Sequence, residues 1–346
     1  MRKIFFAISI VLFLSPNLQS QTPFYQGKTI RLLVGFSPGG SNDLWTRLIA
    51  QHMGKYVPGN PEIVVQNMTG GGSMVAANHV YNVGKPDGLT LANIAPALYL
   101  EQLAGRKEVQ FDWAKFTWIG SPERTEEIMF IRSDTPYKTI EDIRKAADPP
   151  RCGATGIGSV DHYFPKLLEE ILGVRVNVVV GYPGAAEVHL AIEKGEMQCR
   201  TGSVSSFFDR EPGRTWAKTG FVRVLVQGGK KRDPRLADVP TIYELMDQYR
   251  APDAVRGLAK VLLSPGILGR PMVSTPGIPA ERVKILRGAY AKALSDPELL
   301  ADLRKRGWQA SPVSGDELET VAKEIVAQPP EVIEKMKKLL GLTPTK

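Results

Sequence analysis

Hydrophobic and polar positions in this chain switch repeatedly between strand-like and helical spacing. Ile30 to Val34 reads as a short buried strand, and Leu44, Trp45, Leu48 and Ile49 then recur on one helical face. Ile63 to Val65 predicts a second strand, followed by a helix through Val75, Ala76 and Tyr81. Pro86-Asp87-Gly88 turns into a third strand, Leu89 to Ile94. The alternation resumes at Arg151 to Ala154, with a helix carrying Tyr163, Leu167, Leu168 and Ile171. Strands at 175–180, 197–200 and 221–226 follow, with a helix through Val188, Ala191 and Ile192. Helical spacing then dominates over 280–294, 297–306, 315–327 and 331–340. Pro329-Pro330 start the last of these and Gly341 stops it. Strand–helix alternation of this kind predicts two α/β units with parallel strands and a helical C-terminal part.

The N-terminus departs from that pattern. Arg2 and Lys3 precede an apolar run from Ile4 to Leu14, Pro16 ends it, and Ser20 is a small residue suited to cleavage. This predicts a secretory signal peptide over residues 1–20. The run is too short to span about 30 Å of hydrocarbon. Export to an oxidising compartment permits a disulfide between Cys152 and Cys199, the only two cysteines, without fixing it.

The 346 residues, 43% hydrophobic and 23% charged, are ordinary for a globular chain and give a prior of two domains. The formal net charge is +8, or +6 once Arg2 and Lys3 are removed. Lys230, Lys231, Arg232 and Arg235 form a local cluster, read as a solvated loop whose field gathers small anions. The absence of an aromatic–basic motif argues against nucleic acid as a partner.

Several motifs approach known chemistry and fall short. Gly35-Phe36-Ser37-Pro38-Gly39 has the spacing of a hydrolase nucleophile elbow. The residue after Ser37 is Pro38, which has no N–H to offer an oxyanion. A serine hydrolase using Ser37 therefore stands only as an alternative. Gly35 to Ser41 lacks the lysine of a phosphate loop, and Asp161 stands where a dinucleotide fingerprint needs its third glycine. No cofactor and no metal site are expected.

Four strand-to-helix turns rich in glycine and hydroxyl residues remain, at 36–42, 70–73, 155–159 and 181–184. Such turns let an anion approach backbone N–H groups at a helix N-terminus, at the carboxyl ends of parallel strands. Asp43 directly follows the first of them and is expected to face inward in a structural role. Trp45, Leu48 and Ile49 are expected in the core.

These residues carry a resemblance. Lys28 to Asp43, with the Pro38-Gly39-Gly40-Ser41-Asn42-Asp43 turn, is similar to the opening of the TctC/Bug periplasmic receptors of tripartite tricarboxylate transporters. Gly70-Gly71-Gly72-Ser73, Pro86-Asp87-Gly88, Gly156-Ile157-Gly158-Ser159 with His162, Tyr182-Pro183-Gly184, Arg232 to Thr241 and Ala293 to Pro297 follow in the same order. The resemblance implies an α/β, two-domain periplasmic binding protein of the type II, Venus-flytrap kind, with parallel-sheet domains and two interdomain crossovers. The implied division is domain I over 21–122 and 235–346, including the C-terminal helices, and domain II over 123–234.

The implied activity is binding without catalysis. A small carboxylate sits in the interdomain cleft and is delivered to membrane permease subunits by a periplasmic monomer. The same module acting as a ligand sensor is the alternative within this reading. The implied ligand-binding residues are Phe36, Ser37, Gly39, Gly40, Ser41 and Asn42; the loops Asn93 to Ala97, with Asn93 and Ala95, and Thr201 to Ser205 are further expected to line the cleft. Domain II would add Thr155, Gly156, Gly158, Ser159, Tyr182, Gly184 and Thr201. Pro183 replaces a usual lysine, Gln198 stands near a position often acidic in the family, and residues 244–272 are altered.

Overall fold

The computed structural model describes residues 22–155, 159–182 and 185–342. The expected signal peptide, and Gly156, Gly158, Pro183 and Gly184 among the expected site residues, lie outside the described residues.

Among the described residues eleven strands form two sheets. They are β1 (Thr29–Val34), β2 (Glu62–Asn67), β3 (Thr90–Asn93), β4 (Thr117–Ser121), β5 (Glu127–Arg132), β6 (Arg151–Gly153), β7 (Asn177–Val179), β8 (Cys199–Ser203), β9 (Val222–Gln227), β10 (Met272–Ser274) and β11 (Val313–Ser314). The first sheet has the order β11-β4-β10-β3-β1-β2 and the second β7-β6-β8-β5-β9. The chain passes from the first sheet to the second between β4 and β5, and returns between β9 and β10.

The strands marked by hydrophobic alternation pair in parallel: β1 with β2 and β3, and β6 with β7 and β8. The strands next to the crossings join antiparallel. β10 pairs this way with β3 and β4, and β5 with β8 and β9, so both sheets are mixed. A strand that leaves one sheet to enter the other gains its ladder partners in whichever direction the crossing delivers it.

The helices of the first half are α1 (Ser41–Met53), α2 (Met74–Asn82), α3 (Leu98–Ala104), α4 (Ile140–Lys145), α5 (Val160–Leu172), α6 (Ala185–Glu193), α7 (Val204–Asp209) and α8 (Gly213–Thr219). Then come α9 (Ile242–Gln248), α10 (Asp253–Leu268), α11 (Ala280–Leu294), α12 (Pro297–Arg306), α13 (Gly315–Val326) and α14 (Pro330–Leu339). Asp296 caps α12 by accepting from the N–H groups of Glu298 and Leu299. Thr139 and Thr241 form capping boxes with Asp142 and Glu244, which is why α4 and α9 begin where they do.

Helix α10 determines how the two sheets relate. Its apolar face, with Leu258 and Leu262, belongs to a core that also holds Leu33, Ala92 and Trp118 of the first sheet. The same core takes in Met129 and Ile131 of β5 and Phe164 and Leu168 of α5. Tyr99 on α3 donates its hydroxyl to the Val261 carbonyl. Lys260 pairs with Glu324 of α13 at 3.0 Å. The returning chain therefore carries an apolar wedge packed against both units.

Candidate functional site

In the first sheet the turn after β1 is stiffened from within. The Gly35 N–H donates to the Asn93 carbonyl at 3.0 Å, and a Cβ on Gly35 would lie 2.1 Å from Ser73 Oγ. Asp43, in the first turn of α1, folds back over the turn. Its Oδ2 accepts from the Gly39 N–H at 2.8 Å and from Arg47 Nε at 2.9 Å. Its Oδ1 accepts from Asn67 Nδ2 at 2.8 Å, and that amide also donates to the Phe36 carbonyl at 2.9 Å. Burial pushes the Asp43 carboxyl upward, but Arg47, the Gly39 N–H and Asn67 outweigh it and hold it below the usual range. Gly40, the N-cap, supplies no side-chain cap, and the acidic group in the first turn of α1 is Asp43 itself.

Asp43→Ala removes the acceptor for three donors at a 2% exposed position. It is expected to cost about 2 kcal/mol. Urea unfolding of the variant checks this, and an unchanged midpoint would show that the turn holds without the carboxylate.

The second sheet repeats the device. Asp161, in the first turn of α5, accepts on Oδ1 from the Thr155 N–H at 3.2 Å, from Thr155 Oγ1 at 3.1 Å and from the Ser159 hydroxyl. Arg200 on β8 supplies the compensating charge, with Nη2 to Asp161 Oδ2 at 3.4 Å and Nη1 to His189 Nε2 at 2.8 Å. Burial, and then the Arg200 charge, push His189 down to about 4, so it is a neutral acceptor for the guanidinium at neutral pH. Again the N-cap, Ser159, makes no side-chain cap to the helix. Each unit thus turns an aspartate inward and pairs it with an arginine.

The parallel β6–β8 pair, and the reversed strand β5 between β8 and β9, put the carboxyl ends of β6, β8 and β9 on one edge of their sheet, and a cavity of about 620 Å³ opens beside the residues that follow β8 and β9. Ser41 and Trp45 of α1 line it from one side, with Trp308 and Ser311 of the segment after α12. Val204 and Ser205 after β8, and the loop 230–235 after β9, line it from the other. The crossing residues Glu123, Arg124 and Glu126 also line it. Trp45 and Trp308 stack at 5.2 Å with their planes 21° apart, giving it an apolar floor.

Among the described residues one grouping has metal-like composition: His52, Asp296 and Glu298. The Lys55 ammonium already stands on both carboxylates, at 2.5 and 3.2 Å, so the group is an ion-pair network that braces α12 on α1.

Comparison with known proteins decides the family. The sequence profile described as the tripartite tricarboxylate transporter family receptor, TctC, matches residues 46–338. The chain belongs to this receptor family. A UPF0065 protein from the gbd 5' region of Cupriavidus necator is 27% identical over 323 residues, covering 92% of this chain and 90% of that one. The crystal structure of a TctC solute binding protein from Polaromonas, without ligand, superposes with a TM-score of 0.72 at 22% identity, covering 92% and 99% of the two chains. MatC from Rhodopseudomonas palustris, with bound malate, superposes with a TM-score of 0.53 at 22% identity, covering 91% and 99%. The fold is accordingly that of a TctC-type periplasmic solute-binding receptor, a binding family rather than an enzyme family.

Within this TctC-type receptor, the expected site residues fall into three groups. Ser37, Gly39 and Gly40 are exposed on the first turn, Phe36 and Asn42 are half-buried, and Ser41 reaches the cavity. Thr155, Ser159 and Tyr182 are half-buried at the carboxyl ends of β6 and β7. Asn93 and Thr201 lie behind the surface, 3% and 0% exposed, with Asn93 Oδ1 and Thr201 Oγ1 unpaired; Ala95 is half-buried and donates its N–H to Ser73 Oγ.

Gln198 is placed away from the cavity, at the amino end of β8, where its Oε1 accepts from the Arg151 N–H at 2.9 Å. Sequence reasoning missed the Trp45–Trp308 stack and the crossing residues 123–126. The available signal was the basic loop following a strand, which places cations at a carboxyl edge.

Proposed function

We propose that this chain is a periplasmic receptor that closes two lobes over a small carboxylate and presents it to the permease subunits of a tripartite tricarboxylate-type transporter. The lobes are those expected from the sequence, 21–122 with 235–346, and 123–234, after cleavage near Ser20. The observation that carries this reading is the paired device: two uncapped helix N-termini, each held by an inward aspartate neutralised by an arginine. Such a site offers backbone N–H groups to an anion without the cost of reorganising them. In this reading the turn Phe36 to Asn42, with Thr155, Ser159 and Tyr182, forms the walls. Asn93, Ala95 and Thr201 support them.

Malate in the related MatC structure favours a carboxylate over other anions. Closure over ligand shifts an open–closed equilibrium that a membrane partner reads.

The test is thermal unfolding of refolded, ligand-free protein against mono-, di- and tricarboxylates, amino acids and aromatic acids. A true ligand at about 100 times its Kd adds roughly 2.7 kcal/mol, an upward shift of a few degrees. A panel that leaves the transition unmoved would remove the carboxylate assignment.

A further inference from the structure

We propose that Glu126 takes up a proton from solvent as a carboxylate ligand enters the cavity, so that the receptor binds its anion and a proton together. The proposal rests on the carboxylate reading above and adds to it the residue that sets how affinity varies with pH.

The carboxyls of the cavity carry the argument. Among the described residues four line it: Glu123, Glu126, Asp233 and Glu317. Three are neutralised within the protein. Glu123 accepts from Arg270 Nε at 2.7 Å and Asp233 from Arg235 Nη2 at 2.8 Å. Both oxygens of Glu317 accept from Arg124 Nη2, at 2.8 and 2.9 Å. Glu126 is the exception, because among the described residues its carboxyl makes no ion pair and no hydrogen bond.

Packing holds Glu126 in place. Its carbonyl accepts from the Val204 N–H at 2.8 Å, which ties its backbone to the start of α7. Its carboxyl, half-buried, lies on the second crossing, where a Cβ on Gly229 would stand 2.1 Å from Oε2 and 2.7 Å from Oε1.

The charges facing it come from three elements. On the first crossing Arg124 favours the ionised form but is committed to Glu317, and the adjacent Glu127 shares a repulsion with Glu126. On the loop after β9 Asp233 favours the neutral form. On α9 Tyr243 feels both carboxylates. Arg210, Lys230 and Lys231 also line the cavity and are not among the causes that shift Glu126. Burial is the largest influence, and it raises this carboxyl above its ordinary value.

A ligand carboxylate changes that balance. Ser41 belongs both to the first turn and to the cavity, so an anion held at that turn shares the cavity with Glu126. Like charges in one site disfavour joint ionisation. Arginines hold the other three carboxyls ionised, so Glu126 is the group that responds. The ligand raises its pKa, and between the free and bound values the complex holds the extra proton. Affinity is highest on the acid side, falls as pH rises through that window and levels off above it.

Malate, glutamate, benzoate and citrate serve as probes, and the tightest binder is carried forward. Titration calorimetry of the full mature chain, in buffers of different ionisation enthalpy, counts the protons. Between pH 5 and 7.5 the wild type is expected to take up a fraction of a proton, up to about one, per acid bound. Glu126→Gln keeps the shape, cannot ionise and is expected to lack this component. It should bind about as tightly as wild type at pH 5 and about tenfold more tightly at pH 7.5. A carboxyl needed only for structure would instead lose affinity at every pH. Using one acid on both proteins removes the acid's own titration from the difference.

Affinities that run parallel with pH in the two proteins overturn the proposal, as does a variant that binds more weakly throughout. Circular dichroism verifies that the variant folds; if it does not, the wild-type count decides, and no uptake beyond that of the acid itself overturns the proposal. Those outcomes leave the carboxylate reading standing. A wild type that binds none of the acids at any pH removes that reading and this inference with it.

Discussion

Glu127→Gln is expected to stabilise the protein by about 3 kcal/mol at pH 7 and more at pH 8, with no gain near pH 4. Glu127 opens β5, directly after the first crossing, and is 8% exposed. Its carboxyl is boxed by backbone: a Cβ on Gly266 of α10 would stand 3.0 Å from Oε2, and one on Gly228 would stand 3.3 Å away. The titratable groups around it are Tyr99, Tyr163 and Tyr243, each raised in part by its field, and Glu126. Among the described residues no cation is a cause of its shift. Burial first, and then the Glu126 charge, push it up to about 8 against an ordinary value of 4.5.

The sign of the pH dependence follows from that elevation. The unfolded chain releases this proton near pH 4.5 and the native protein near pH 8. Between those values the native state holds the extra proton, so stability falls as pH rises and levels off above pH 8. Glutamine keeps the shape and cannot ionise, so the variant should lack this component. Urea midpoints of the two proteins, measured from pH 4 to 9, should diverge across that window. Parallel curves would show that the carboxyl is already solvated at the crossing. The packing against Gly266 and Gly228 ties the titration to both chain crossings and to α10, so alkaline loosening should begin where the two units join.

Legibility of the fold followed local periodicity. The helices 280–294 and 297–306 were readable to the residue because Pro297 and the caps bound them, and the parallel strands were readable from alternation with helices. Strands β4, β5, β10 and β11 were not, because each depends on where a crossing delivers the chain and on partners far away in sequence. Helices α9 and α10 were missed for a related reason. Pro265 lies inside α10, and its apolar face covers two units at once, so the run does not resemble a one-sided surface helix.

The glycine- and hydroxyl-rich turns themselves were visible in the sequence because such residues cluster where a strand turns into a helix. Asp43 was read as inward-facing from its position alone, and its three donors bear out that geometry. The matching role of Asp161 was not seen, because its partner Arg200 lies 39 residues away on another strand. The basic loop was read as solvated for the same reason. Only the three-dimensional arrangement shows which of its cations are spoken for and which face a cavity.

Reduction of the Cys152–Cys199 disulfide is expected to cost about 4 kcal/mol and to lower the melting transition by several degrees. The two cysteines are register partners on the parallel neighbours β6 and β8, with Cα atoms 4.4 Å apart and both side chains fully buried. The bond spans a sequence separation of 47 and closes a loop that contains α5, β7 and α6. That loop carries Thr155, Ser159, Asp161 and Tyr182, so the bond limits how far these residues can wander in the unfolded ensemble. Because reduced cysteines keep the packing volume, comparing oxidised and reduced wild type separates the crosslink from the cavity that Cys152→Ala would open. Ligand affinity of the reduced protein should change far less than its stability, since Asp161 and Arg200 hold the turn through side chains the disulfide does not touch. A fully reduced protein, confirmed by thiol titration, whose unfolding midpoint matched the oxidised form would show that the sheet already confines the loop without the bond.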